Sequence, residues 1–189
     1  MRRTSRGECP ATDRIVVKET MAANPVNTDP SGAVASSPTP SAALPCIGAD
    51  ESGKGDYFVP LVSAAVFADT PCAARLTAID VQDCKQLSDR RVRALAPQVR
   101  AAVGRHGYKL TQLTPERYNT LYSGFSAQGK NLNHMLAWAH ARSIEDVLLM
   151  GARPMEIVVD QFADVRHIEH RLLQQARASG AEILQFPGA

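Results

Sequence analysis

No run of about 18 apolar residues occurs in the 189-residue chain, so no helical membrane span is expected. Cysteine is scarce. Cys9, Cys46, Cys72 and Cys84 include no pair at C-x-x-C spacing, and no nearby histidine completes a zinc set. Reduced thiols of a cytosolic protein are the expected reading. An excess of one charge is also missing. Lys plus Arg number 21 and Asp plus Glu 19, a net +2 that excludes a strongly basic nucleic-acid-binding chain but leaves room for a local basic groove. The start, MRRTSRGE, lacks the apolar stretch of a secretory signal. Arg2, Arg3, Arg6 and Arg14 suggest a transit peptide, and Glu8, Asp13 and Glu19 argue against one. What remains is 44% apolar and 21% charged, enough for one domain with a core and at most a small extra module.

The organisation changes near residue 45. Asn24–Pro45 is built largely from Ala, Ser, Pro, Thr and Gly, which bury too little apolar surface to offset ordering entropy. Residues 1–45 are therefore expected to be disordered. Order should begin with CIGAD, Cys46–Asp50, a short apolar run entering a glycine-rich loop. LVSAAVF, Leu61–Phe67, has strand length. Ser88 can cap a helix over Asp89–Val103, in which Pro97 should kink or split the chain. Tyr108–Leu113 alternates as a half-buried strand does, and Thr114-Pro115-Glu116 reads as a helix start. Leu132–Met150 carries apolar residues at helical spacing. Met155–Phe162 is a second apolar run closing on an acid. Asp164 can cap a helix through Ser179, and Glu182–Phe186 is a last strand. This order is an α/β pattern around a mixed sheet.

Residues 48–55, GADESGKG, share the spacing of a phosphate-binding G-x-x-x-x-G-K-[ST] loop but end on Gly55. Asp50 and Glu51 would repel phosphates held there, by roughly 1–4 kcal/mol per pair at ~4 Å. The missing hydroxyl would also cost Mg²⁺ a ligand, so an ATP site is disfavoured. The acids suggest other chemistry. Asp50 closes CIGAD and Asp160 closes MEIVVD. If those strands were neighbours, the two carboxylates would meet and need a cation, and carboxylate oxygens suit Mg²⁺ or Mn²⁺. Glu51 should face the other way from Asp50. The plain alternative makes Asp50 a loop cap and Asp160 a helix-capping acid, and spacing alone leaves both open. His167 and His170, like His134 and His140, are expected at the surface or its boundary, and Trp138 in the core. Lys85, in QDCKQLSD, is either a solvated lysine or a phosphate contact.

IGADESGKGDYFVPLVSAAVF resembles the first strand, glycine loop and second strand of type 2 ribonucleases H, and its DYF element is similar to that of ribonuclease HIII. QDCKQLSD, NLNHMLAWAH and IVVDQFA follow in the family's order, so the resemblance covers about Ile47 to Phe186. It implies an RNase H-like fold and cleavage of the RNA strand of RNA–DNA hybrids with two divalent metals. It places Asp50, Glu51 and Asp160 among the family's catalytic and metal-binding acids. Gly53-Lys54-Gly55 would match the loop that reads the ribose 2′-OH, the group that separates RNA from DNA. Lys85 and the helix start after Ser88 would hold phosphates.

Cys84 stands where the family usually has Ser, and Val59 where it usually has Gly. The family's fourth acid lies in a segment beyond Ala189. The expectation is therefore a C-terminally truncated domain over residues 46–189, monomeric and cytoplasmic, with no protein partner. A catalytically impaired fragment, or a hybrid-binding module without turnover, is the alternative.

Overall fold

The computed structural model describes residues 14–18, 44–56, 58–160, 166–168 and 170–172, and for residues 14–18 and 160 the backbone alone. Five strands form one mixed sheet: β1 (Arg14–Lys18), β2 (Cys46–Ser52), β3 (Leu61–Ala68), β4 (Tyr108–Leu113) and β5 (Glu156–Asp160), in the order β1-β5-β2-β3-β4. The β2–β3 and β3–β4 pairs are antiparallel, while β5 runs parallel to both β2 and β1. The α/β class and mixed sheet agree with the sequence reading. β1 corrects it in part. Its residues, RIVVK, lie inside the segment expected to be disordered, but the β-branched Ile15, Val16 and Val17 suit a strand and pair along β5. The disorder argument rested on the composition of Asn24–Pro45, whose greater part lies outside the described residues.

Helices cover both faces. Along β3, Leu61, Ser63 and Ala65 are buried while Val62, Ala64 and Val66 are only partly so, the alternation of a pleated strand. The first set meets α4 (Leu132–Leu149), where Ala137, Ala141, Ile144 and Val147 pack on Ile47, Ala65, Ile157 and Val159. Ser143 Oγ anchors this helix, 3.1 Å from the Ser63 carbonyl and 2.8 Å from Thr111 Oγ1. The opposite face meets α1 (Thr70–Ala78) and α2 (Asp89–Val103), and α3 (Pro115–Ser126) packs beside α4.

The caps explain the boundaries. Asp69, Ser88, Thr114 and Asn131 each accept a backbone N–H of the first turn of α1, α2, α3 and α4. Asn131 and His134 form a reciprocal capping box. The α1 helix went unread in the sequence, although Asp69 followed by Pro71 carries its start signal. Pro97 does not split α2. It lies on the exposed side, where water can take the Arg93 carbonyl that loses its partner. Burial pushes the Cys72 thiol above its usual pKa, as suits an inert core cysteine. The expected strand Glu182–Phe186 lies outside the described residues, as do most of the helix after Asp164 and the end of the run Met155–Phe162.

One buried acid is badly matched to its surroundings. Glu145 on α4 is 5% exposed, and Arg171 Nε is 3.8 Å from its Oε1. Neither carboxylate oxygen has a hydrogen-bond partner among the described residues. Desolvation raises its pKa against the pull of Arg171 and Arg142. A carboxyl with a raised folded pKa costs stability that grows as pH rises above the unfolded value. Glu145→Gln is therefore expected to stabilise the fold by about 1 kcal/mol at neutral pH, or ~2–4 °C in a thermal melt, with the gain vanishing near pH 4.

Candidate active site

The C-terminal end of β2 sets out the first two acids on opposite sides of the sheet. Asp50 is exposed, beside Ala64 of β3, and its Oδ1 accepts the Glu51 N–H at 2.8 Å. Glu51 turns inward, as strand alternation requires. Its Oε2 lies 2.9 Å from His140 Nε2 and its Oε1 3.4 Å from Lys54 Nζ. An ionised carboxylate only accepts, so His140 Nε2 carries the proton of that bond. The bond to His140, followed by the charges of His140 and Lys54, lowers the Glu51 pKa in spite of burial. The stabilisation is thus complete above the ordinary value of 4.5 and is lost as pH falls through the lower folded value.

His140 is a correction. It was expected at the surface or its boundary, yet it is fully buried. Its place between Leu136 and Ile144, four residues from each on the core stripe of α4, was a legible sign. Trp138 is half-buried against the cluster around Leu61 and Leu113 instead of enclosed in the core. His134 and His167 sit at the boundary with ring centres 4.2 Å apart, and His170 is exposed.

The third acid arrives by strand pairing. β2 and β5 are parallel neighbours in the register Ile47↔Ile157, Gly48↔Val158, Ala49↔Val159. One further step of that register would bring the backbone of Asp50 beside that of Asp160. The next segment is the glycine loop. Gly53 and Gly55 have φ of +83° and +84°, the left-handed region that favours glycine. At Gly53 a Cβ would stand 2.3 Å from the Pro60 carbonyl oxygen, whereas at Gly55 it would meet open space. Both glycines line a cavity of about 260 Å³ whose far wall includes Tyr118 and Asn119 of α3. No motif pointed to those α3 residues, because only the folded chain places them across from the loop.

Lys85 lies apart, in the 3-10 turn Cys84–Gln86, its N–H bonded to Asp83 Oδ1 at 2.9 Å. Cys84 shares a groove with Val66, and Val66 lies on the same face of β3 as Ala64, the partner of Asp50. The turn carrying Lys85 and the Asp50 side chain therefore belong to one face of the sheet. Among the described residues no group of three or more His, Cys, Asp or Glu is poised to hold a metal. The chemistry of the single donors, carboxylate oxygens, is what a hard divalent cation takes. Asp50 and Glu51 offer carboxylate oxygens with lone pairs beyond the bonds above, at the open end of a strand.

A family model described as ribonuclease HII matches residues 47–184. The chain belongs to the ribonuclease HII family. Among curated proteins it is similar to ribonuclease HIII of Protochlamydia amoebophila, 43% identical over 120 residues, which cover 64% of this chain and 37% of that protein. Ribonuclease HIII of Chlamydia abortus is 39% identical over 140 residues, or 74% of this chain and 43% of the relative. The chain thus spans about two-fifths of the length of the curated relatives it matches. Among solved structures, Bst-RNase HIII in complex with Mn²⁺ superposes with a TM-score of 0.57 at 32% identity, covering 67% of this chain and 40% of that one. The RNase H-like fold expected from the motifs is confirmed. No helix among the described residues is long and apolar enough to cross a membrane.

Proposed function

We propose that this chain carries an endoribonuclease site that cleaves the RNA strand of RNA–DNA hybrids by divalent-metal-assisted phosphodiester hydrolysis. The observation that carries the reading is the parallel register of β2 and β5, which runs to Ala49↔Val159 and, continued by one residue, would set Asp50 and Asp160 at one level directly before the glycine loop. Asp50, Glu51 and Asp160 would hold Mg²⁺ or Mn²⁺; a solved relative contains Mn²⁺. Bound there, the metals would supply an activated water and charge neutralisation at the leaving 3′ oxygen.

The chain's own residues do the rest. His140 and Lys54 hold the Glu51 carboxylate ionised and in one rotamer. This gives Lys54 a task other than the substrate contact expected of it. Gly53 and Gly55 bring backbone close to a sugar without a side chain in the way, so a ribose 2′-OH can be read there. Lys85, on the Asp50 face, would hold a backbone phosphate. The enzyme would act as a cytoplasmic monomer.

The test is cleavage of a labelled RNA–DNA hybrid with Mn²⁺ and Mg²⁺ titrated, beside duplex DNA as control. Metal-dependent cleavage of the RNA strand is expected. Asp50→Asn should reduce it by ~100-fold or more with the fold intact, because Asp50 is exposed and the change keeps the side chain's size. Undiminished cleavage by that variant would overturn the assignment.

A further inference from the structure

A second cavity, of about 550 Å³, opens between α4, the end of α3 and the helical residues 166–168 and 170–172. Its size suits a nucleotide-sized ligand, within the roughly 300–1,000 Å³ of small-molecule sites. Three permanent cations line it: Lys130, Arg166 and Arg171. His134, His167 and His170 add ring N–H donors, and no carboxylate is among the described lining residues. Arg171 leans towards the buried Glu145 at 3.8 Å, which offsets part of its charge, and the described lining residues remain basic in character. Partial burial first, and then the neighbouring His167 and Lys130, lower the pKa of His134.

The same cavity presents two aromatic side chains. Phe125 and Trp138 share its wall, and Lys130 Nζ stands 5.7 Å from the Phe125 ring centre. Cations with aromatic faces are what a single nucleotide of a flexible strand needs: donors for the phosphate and a ring for the base. The place is also suggestive. Ala137 lines this cavity one helical turn before His140, the residue that holds Glu51.

We infer that this cavity is a nucleotide-binding subsite that takes one phosphate and one base of a nucleic-acid strand as it leaves the Asp50–Glu51 site. The inference rests on the proposed nuclease reading for the identity of the strand. Its phosphate and base chemistry is common to RNA and DNA.

Trp138 is the sole tryptophan of the chain, so its fluorescence reports occupancy directly. The full chain, with chelator present to stop cleavage, is titrated with tetradeoxythymidylate, its ribo counterpart, thymidine monophosphate and inorganic phosphate. Saturable quenching by either oligonucleotide, weakened by salt, is expected, and which one quenches more assigns the strand. Lys130→Glu with Arg166→Glu should weaken it at least ~10-fold. Both residues are exposed, and far-UV circular dichroism checks the fold. The single change His170→Ala, also at an exposed position, should weaken it severalfold should the double variant not fold. No quenching by any oligonucleotide, equal quenching by inorganic phosphate alone, or undiminished quenching in these variants would overturn the inference. Asp50→Asn separates the two readings. It should abolish cleavage and keep the quenching. Quenching in a chain that cleaves nothing leaves this subsite standing without the nuclease. Cleavage without quenching leaves the nuclease standing without the subsite.

Discussion

His140→Ala is expected to cost about 3 kcal/mol of stability and most of the proposed hybrid cleavage. The ring is fully buried, so its loss leaves a cavity in the core face of α4. It also removes the donor 2.9 Å from Glu51 Oε2, and that carboxylate, 9% exposed, would be left with Lys54 at 3.4 Å. Removing one partner of a buried charged pair is among the few changes that reach several kcal/mol. For a chain of this size the loss corresponds to roughly 6–12 °C in a thermal melt. His140→Gln separates packing from positioning. Its amide can donate to Glu51, so it should recover cleavage more than stability. The same low cleavage in both variants, each assayed well below its melting temperature, would deny His140 a positioning role.

Gly53→Ala is expected to lower cleavage by ~10–100-fold while Gly55→Ala is milder. Both positions have positive φ, so each alanine carries a backbone penalty of about 1–2 kcal/mol. Only at Gly53 does the new methyl also collide with backbone, 2.3 Å from the Pro60 carbonyl oxygen. Backbone cannot rotate aside as a side chain can, so the loop must move from Asp50 and Glu51. A displacement near 1 Å at a reacting site costs about a hundredfold. Cleavage rates of the two variants at saturating metal provide the check. Equal losses would show that φ strain, and not the Pro60 contact, sets the loop.

The comparison between sequence and fold turns on range. Tyr108–Leu113 and Asp89–Val103 have the bounds expected of them, because period-two alternation and a Ser88 cap act over a few residues. The turn of Glu51 away from Asp50 is equally local, since neighbours on a strand face opposite sides. Pro97 shows where a local rule meets context: its missing N–H matters little on an exposed helix face. The strand Arg14–Lys18 shows composition averaged over too long a segment, with three β-branched residues diluted among polar neighbours.

By itself, then, the sequence determined most strands and helices between Cys46 and Asp160, α1 excepted, the acids at the ends of two apolar runs and the glycines of the loop between two strands. These follow from side-chain period, capping and backbone freedom, all of which act within a few residues. Only the tertiary structure decided that β5 lies parallel to β2 with Ala49 beside Val159, that His140 reaches Glu51 across 89 positions of chain, and that residues from α3, α4 and the segment after β5 share one cationic cavity. Strand order and helix docking bring together residues far apart in the chain. Such contacts depend on which apolar faces bury one another, and no local pattern names the partner.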